Sequence, residues 1–260
     1  MKTTLTIAGS DSGAGAGIQA DLKTFVAHGV YGTSAVTAVT AQNSFGISKI
    51  HAVPSDIVFA QVEAVMRDPG ADSAKTGVLA TAANVKAVVT AIEKFHIPLV
   101  VVDPVIMSHN GDRLLEDEAI VLLKTELFRR AYVVTPNIRE AEILLGRSIN
   151  SPDDVRDAAR QIHSLGPAAV IIKGGHLPGP EVIDVLYDGN SLMELKCLRV
   201  NSLETHGTGC AFGAAVAANL ALGLDLQNSA RSAQEYTAQA IRGRIRVGPG
   251  YGPLNHFWNK

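Results

Sequence analysis

The feature that most constrains the fold is an alternation of short, continuously apolar runs with longer amphipathic stretches. "TTLTIA" (3–8), "TSAVTAVTA" (33–41), "PLVVVD" (98–103), "AYVVT" (131–135) and "AAVIIKG" (168–174) read as strands. A strand that is apolar throughout must be covered on both faces, which is how parallel sheets are buried. Between these runs lie "GIQADLKTFVAHG", "SDIVFAQVEAVMRD", "TAANVKAVVTAIEKF", "LEDEAIVLLKTELF", "NIREAEILLG" and "SPDDVRDAARQIHSLG". Several open with Ser, Thr, Asn or Asp and several end at Gly, the signature of capped helices. The order predicts an α/β protein, a three-layer αβα sandwich with a mostly parallel central sheet. Near residues 182–200 the rhythm breaks, and "DGNS" between two strand-like runs predicts a hairpin and one antiparallel edge after Lys173. "GTGCAFGAAVAANLALG" and "LQNSARSAQEYTAQAIRG" then form two helices in series. No linker, repeat or low-complexity tract intervenes, so residues 1–260 are expected to form a single domain.

Composition narrows the function. The chain has 260 residues, 47% hydrophobic and 18% charged, enough for one large core. A net charge of -2 offers no broad attraction to phosphate backbones or anionic lipid, so no nucleic-acid or membrane partner is expected. Two cysteines, Cys197 and Cys210, are too few for a disulfide framework and point to a reducing cytoplasm. The first residues lack a signal-peptide pattern, and "AFGAAVAANLALGL" falls short of the ~20 residues that span a bilayer. A cytoplasmic protein without a targeting segment is expected.

In open α/β sheets ligands bind at the carboxyl ends of the strands, and here those positions are polar and rich in glycine. "GSDSGAGAG" (9–17) leads into a helix; its N–H groups suit an anion or close approach of a flat ligand, or it is a plain loop with Asp11 or Ser12 as turn residue. It matches neither nucleotide fingerprint: there is no Gly-Lys-Ser/Thr, and Ile18 stands where the dinucleotide pattern needs glycine. Gln42 in "TAQNSFG" can donate and accept through one amide, as an amino-substituted heteroaromatic ring requires, unless it is a solvated loop residue. Asn137 and Glu140 have the spacing of a capping box. Equally, Glu140 in a cleft would hold a magnesium-bound water. Asp103 in "DPV" and Lys173 in "KGGH" are turn residues or face the same cleft. In "THGTGC", Gly207, Thr208 and Gly209 precede a helix and make a concave set of donors at its positive end, an anion hole. Cys210 there is either a buried structural cysteine or a thiol whose pKa that field lowers. Cys197 lacks such a setting and reads as core.

These segments, with "YGTSAVTAVTAQN", "AKTGVL", "VVDPV" and "GDRLL", resemble in order and over essentially the whole chain the ribokinase superfamily. The likeness is closer to the hydroxymethylpyrimidine and hydroxymethylpyrimidine-phosphate kinases of thiamin biosynthesis. Most sugar kinases of the superfamily end the anion hole in Asp, whereas the vitamin-kinase branch ends it in Cys. The resemblance implies ATP-dependent, Mg²⁺-assisted phosphorylation of a pyrimidine alcohol, then of its monophosphate, by a homodimer. By position it makes Cys210 the base and Gly207, Thr208 and Gly209 the phosphoryl cradle. Gln42, Gly9 and Asp21 fall at the pyrimidine, Lys173, Thr205 and Asn137 at the nucleotide, and Glu140 at the metal through water, with Asp103 a further metal candidate. Two departures stand out: Val78 replaces a common Met, which widens the pyrimidine pocket, and His109 replaces a common Lys, which weakens a phosphate contact favouring the second phosphorylation.

Three rivals are set against this reading. Pyridoxine and pyridoxal kinases share the fold and the phosphorylated hydroxymethyl group, but their ring offers Gln42 a different edge; dual specificity stays open. A non-catalytic binding protein is disfavoured by retention of the anion hole together with Asn137 and Glu140. A dinucleotide oxidoreductase fails the glycine spacing.

Overall fold

The computed structural model describes residues 1–108, 111–200, 202, 206–243, 245, 247 and 252–258. Among them, strands β1 (Thr3–Asp11), β2 (Tyr31–Asn43), β3 (Gly46–Ala52), β4 (Ser73–Thr76), β5 (Val100–Val102), β6 (Val133–Val134), β7 (Ala169–Ile172), β8 (Glu181–Tyr187) and β9 (Leu192–Leu198) form one sheet. Its order is β3-β2-β1-β4-β5-β6-β7-β8-β9. Strands β2, β1 and β4 to β7 run parallel, as expected. The hairpin at "DGNS" is present, with Tyr187 opposite Leu192 and the Asp188 carboxylate accepting from the Asn190 and Ser191 N–H groups.

Two features differ from the sequence reading. The sheet has a second antiparallel edge, β3 on β2, because β2 continues through Gln42 to Asn43 and turns directly into "GISKIHA". That strand is exposed at four consecutive positions, Ser48 to His51, and lacks the apolar run by which the others were recognised. The second is β4, four residues between β1 and β5, too short for periodicity to register.

The helices are α1 (Gly17–Ala27), α2 (Ser55–Arg67), α3 (Ala82–Phe95), α4 (Asp117–Leu122), α5 (Ile138–Leu145), α6 (Pro152–His163), α7 (Thr208–Ala221) and α8 (Leu226–Arg242). Thr81, Asn137, Ser151 and Asp225 cap α3, α5, α6 and α8 through their side chains. Helix α4 runs on into a π turn at residues 123–127 and a 3₁₀ turn at 128–130.

The strands feed two cores. Val100 and Val102 point into the one built with α2 to α6, and Val101 into the one built with α1, α7 and α8. Period-two alternation thus gives both faces an apolar surface, as a covered parallel strand requires. Each fully buried side chain such as Phe25 or Phe128 contributes about 2 kcal/mol. Helix α7 is buried from Ala211 to Ala221, which is why it carries small apolar residues all round instead of one apolar stripe.

Candidate active site

The chain order reverses beside β1: β2 lies on one side and β4 on the other, and a crevice opens outside the carboxyl ends at such a switch point. A cavity of about 1130 Å³ occupies this edge and extends to β8 and β9. Of the sequence-predicted residues, Gly9, Gln42, Asp103, Asn137, Glu140 and Lys173 line it. Gly207, Thr208, Gly209 and Cys210 line it from the start of α7. Thr205 and His109 lie outside the described residues.

The first glycine-rich loop holds an anion of its own. Asp11 accepts from the N–H groups of Gly13 (2.8 Å), Gly15 (3.0 Å) and Ala16 (2.8 Å), so the donors expected to face a ligand are consumed by a side chain of the loop itself. Burial opposes the Asp11 charge, but His206 and these N–H groups outweigh it and lower the pKa. One donor of this region does reach the cavity: the Gly17 N–H, at the start of α1, points at the Cys210 thiol.

The second loop is not closed by its own N-cap side chain. Gly207 is the N-cap of α7 with φ +84° and has no side chain to occupy the first-turn N–H groups. A Cβ on Gly207 would lie 1.9 Å from the Gly15 carbonyl oxygen, so the two glycine loops are in direct contact. Gln42 also differs from expectation, since it lies within β2 at an irregularity of the β2–β3 register. Bulges of this kind re-aim side chains beside active sites.

Below the α7 terminus sits a buried ionic cluster. Lys75, fully buried, donates to both Asp21 oxygens at 3.0 Å and lies 4.0 Å from Asp103 Oδ2. Lys173 donates to Asp103 Oδ1 at 2.8 Å. Burial works against both ammonium groups, but the attraction of Asp21 for Lys75, and of Asp103 and Glu140 for Lys173, prevails and keeps them charged. Asp21 faces the sheet from α1, accepts from Thr6 Oγ1 at 2.6 Å and does not line the cavity. Its expected contact with the pyrimidine is therefore corrected to a role in holding Lys75.

Cys210 is corrected as well. Burial raises its thiol to about 11; Lys75 counters this, while Asp21 and Asp103 add to it. Desolvation and two carboxylates outweigh the helix dipole, so the resting group is a thiol. Cys197 is half-buried and lines the cavity near β8 and β9, not the core. The capping box of Asn137 and Glu140 is formed, at 2.8 and 3.0 Å, and Glu140 also lines the cavity, with burial raising its pKa to about 7.

Sequence reasoning missed three groups. Lys75 appeared only within a motif. Asp184 and Gln234 are buried, and Asp184 accepts from Gln234 Nε2 and the Gly174 N–H, each at 2.8 Å, which fixes the loop after Lys173. Arg199 donates to the carbonyls of Gly175, Leu177, Gly179 and Glu181 and clamps the next turn. None has a local spacing signal, because each partner is distant in sequence. The apolar end of the cavity, with Val182, Leu198, Val200 and Phe212, suits a flat ring.

The donor set fits a hard cation. Asp103 Oδ2 is buried without a hydrogen-bond partner, and Glu140 offers a second carboxylate to the same cavity. Among the described residues no group of three His, Cys, Asp or Glu side chains makes a closed metal site. Few protein oxygens, with water and phosphate completing the shell, is the pattern of Mg²⁺.

A mostly parallel sheet with a helix N-terminus lacking a side-chain cap, buried lysines and carboxylates at its switch point defines a ribokinase-like kinase. More particularly, the chain belongs to the phosphomethylpyrimidine kinase family, whose model matches residues 11–255. It is 43% identical to the hydroxymethylpyrimidine/phosphomethylpyrimidine kinase of Bacillus subtilis over 97% of this chain and 94% of that one. It is 46% identical to the thiamine biosynthesis bifunctional protein ThiED of Geobacter sulfurreducens, over 97% of this chain and 52% of that longer protein. In structure it is similar to Bacillus subtilis pyridoxal kinase, solved as an ADP complex, with a TM-score of 0.92 and 37% identity over 98% of this chain and 97% of that one.

Proposed function

We propose that the protein transfers a phosphoryl group from ATP to the hydroxymethyl group of 4-amino-5-hydroxymethyl-2-methylpyrimidine, and then to the resulting monophosphate. The observation that carries this reading is a single cavity with Gln42 of β2, the first turn of α7 beside Asp103 and Lys173, and an apolar slot at β8 and β9.

In-line transfer through a loose transition state demands positioning and charge neutralisation more than covalent chemistry. Gln42 orients the ring, and the backbone at Gly9 allows its close approach. The N–H groups of Gly207, Thr208 and Gly209 face the charge that builds on the moving phosphoryl group. Lys173 is the nearby cation: a Cβ on Gly209 would lie 3.1 Å from its Nζ. Asn137 fixes Glu140, and Glu140 with Asp103 would hold Mg²⁺, which supplies neutralisation of phosphate charge when bound. Cys210 takes the hydroxyl proton as the new bond forms, and only in its minor thiolate form, its own proton having first left to solvent. Val78 leaves the acceptor end wider than Met would.

No described helix is long and apolar enough to cross a membrane. A cytoplasmic homodimer belongs to the same proposal; exposed Val39, Phe45 and Ile50 at the β2–β3 edge support association of two copies. The test is ADP release with ATP and Mg²⁺ over a panel of hydroxymethylpyrimidine, its monophosphate, pyridoxal, pyridoxine and a simple sugar. Turnover with the first two is expected; turnover confined to the others would sink the proposal.

A further inference from the structure

His206 is the residue before the phosphoryl loop, yet its ring lies at the acceptor end. Its Nε2 is 3.2 Å from Asp11 Oδ2 and 3.5 Å from Gln42 Nε2. One ring nitrogen cannot serve both neighbours: it either carries a proton and donates to the carboxylate, or offers a lone pair to the amide N–H. Asp11 decides the matter. Its carboxylate is 3% exposed, is ringed by three backbone N–H donors and is kept ionised by them and by His206. A charge-assisted bond to an ionised carboxylate is about twice as strong as a neutral one, so the Nε2 proton is committed to Asp11.

The consequence falls on Gln42. Thr40 Oγ1 lies 3.1 Å from Gln42 Oε1 but has one proton and a shorter acceptor in the Ser10 carbonyl at 2.9 Å, so it does not by itself fix which way the amide faces. A protonated Nε2 has nothing to accept with, so the Gln42 N–H groups are directed to the cavity. Two further contacts lock the arrangement. Ser12 Oγ donates to the Gln42 backbone carbonyl at 2.7 Å and accepts from its backbone N–H at 2.8 Å, which holds the main chain that carries the amide. A Cβ on Gly15 would lie 2.4 Å from His206 Cδ2, so the imidazole packs directly on a glycine backbone.

We infer that His206 is a positioning residue for the acceptor: tethered by Asp11, it sets the polarity of the Gln42 amide so that an N–H donor meets a ring nitrogen. It also seats the acceptor loop against the loop that opens α7. The ligand class it favours is a heteroaromatic alcohol with an acceptor nitrogen beside an amino group. This deepens the pyrimidine assignment and rests on it.

The test compares His206→Leu, which removes the donor, with His206→Gln, whose amide N–H reaches towards the Nε2 position. KM and kcat are measured for hydroxymethylpyrimidine and for ATP, together with the thermal midpoint. His206→Leu is expected to raise the acceptor KM about tenfold while the ATP KM moves less than about twofold, and His206→Gln to recover most of the loss. His206→Asn, too short to reach Asp11, repeats the acceptor-selective rise in a polar side chain and serves if the Leu variant is insoluble. An unchanged acceptor KM, equal rises for both substrates, or a Gln variant no better than the Leu or Asn variant would overturn the inference. Absence of turnover of hydroxymethylpyrimidine by the wild-type enzyme overturns the acceptor assignment, and the inference with it; a lost KM split with wild-type turnover intact overturns His206 alone.

Discussion

Cys210 is pulled in opposite directions by its neighbours. The α7 terminus contributes at most about 2 kcal/mol towards a thiolate, even in a partly buried geometry. Lys75 adds to that, but its charge is already shared with Asp21 at 3.0 Å. Burial and the carboxylates of Asp21 and Asp103 win, and the thiol is pushed up to about 11. In a Cys197→Ser background, alkylation of Cys210 should therefore be slow at neutral pH and rise about tenfold per pH unit well into the alkaline range. A rate that levels off near pH 7 would show that the helix field prevails. The same account expects Cys210→Asp to retain more activity than Cys210→Ala, with no phospho-cysteine accumulating. Sequence placed the cysteine at a helix start, and that was right. It could not show that Asp21, 189 positions away, and Asp103 would crowd it, because strand order alone brings them there.

The two glycine loops look alike in sequence and do different work. The first closes on Asp11, whereas the second has no side-chain cap from its N-cap residue, Gly207, which adopts φ +84° and presses on Gly15. Gly207→Ala would bring a Cβ to 1.9 Å from the Gly15 carbonyl and strain a left-handed backbone. The variant is expected to lose at least about a hundredfold in kcat, from displaced donors, with ATP binding by calorimetry weakened far less. Comparable kcat to wild type would remove the loop contact from the argument. Local spacing made the capping box of α5 legible, since Asn137 and Glu140 are three residues apart. The bulge that aims Gln42 was not legible, because it depends on pairing with β3, a strand without an apolar run.

Over the whole molecule, the same burial that assembles the site makes stability depend on pH in two opposed ways. Glu140 is raised to about 7 in the fold, so its contribution is present at low pH and is lost as pH rises from the ordinary carboxylate range through 7. His256 behaves in reverse. It is 2% exposed between α1 and α8, its Nδ1 is hydrogen-bonded to the Tyr236 hydroxyl at 2.9 Å, and burial, with Lys23 adding, lowers it to about 4. The unfolded chain binds that proton first, so stability is full above the ordinary histidine value and is lost as pH falls towards 4. Each effect is worth about 3 kcal/mol at its limit, and the two windows overlap almost completely. In the unliganded protein the two groups therefore pull the slope of the denaturant midpoint against pH in opposite directions between about pH 4.5 and 6.5. Glu140→Gln keeps an acceptor for the capping box and should unmask stability that rises with pH across this window. His256→Gln should unmask the opposite slope. Parallel slopes in the two variants would refute the assignment, since groups whose pKa values are moved in opposite directions cannot release protons on unfolding with the same sign.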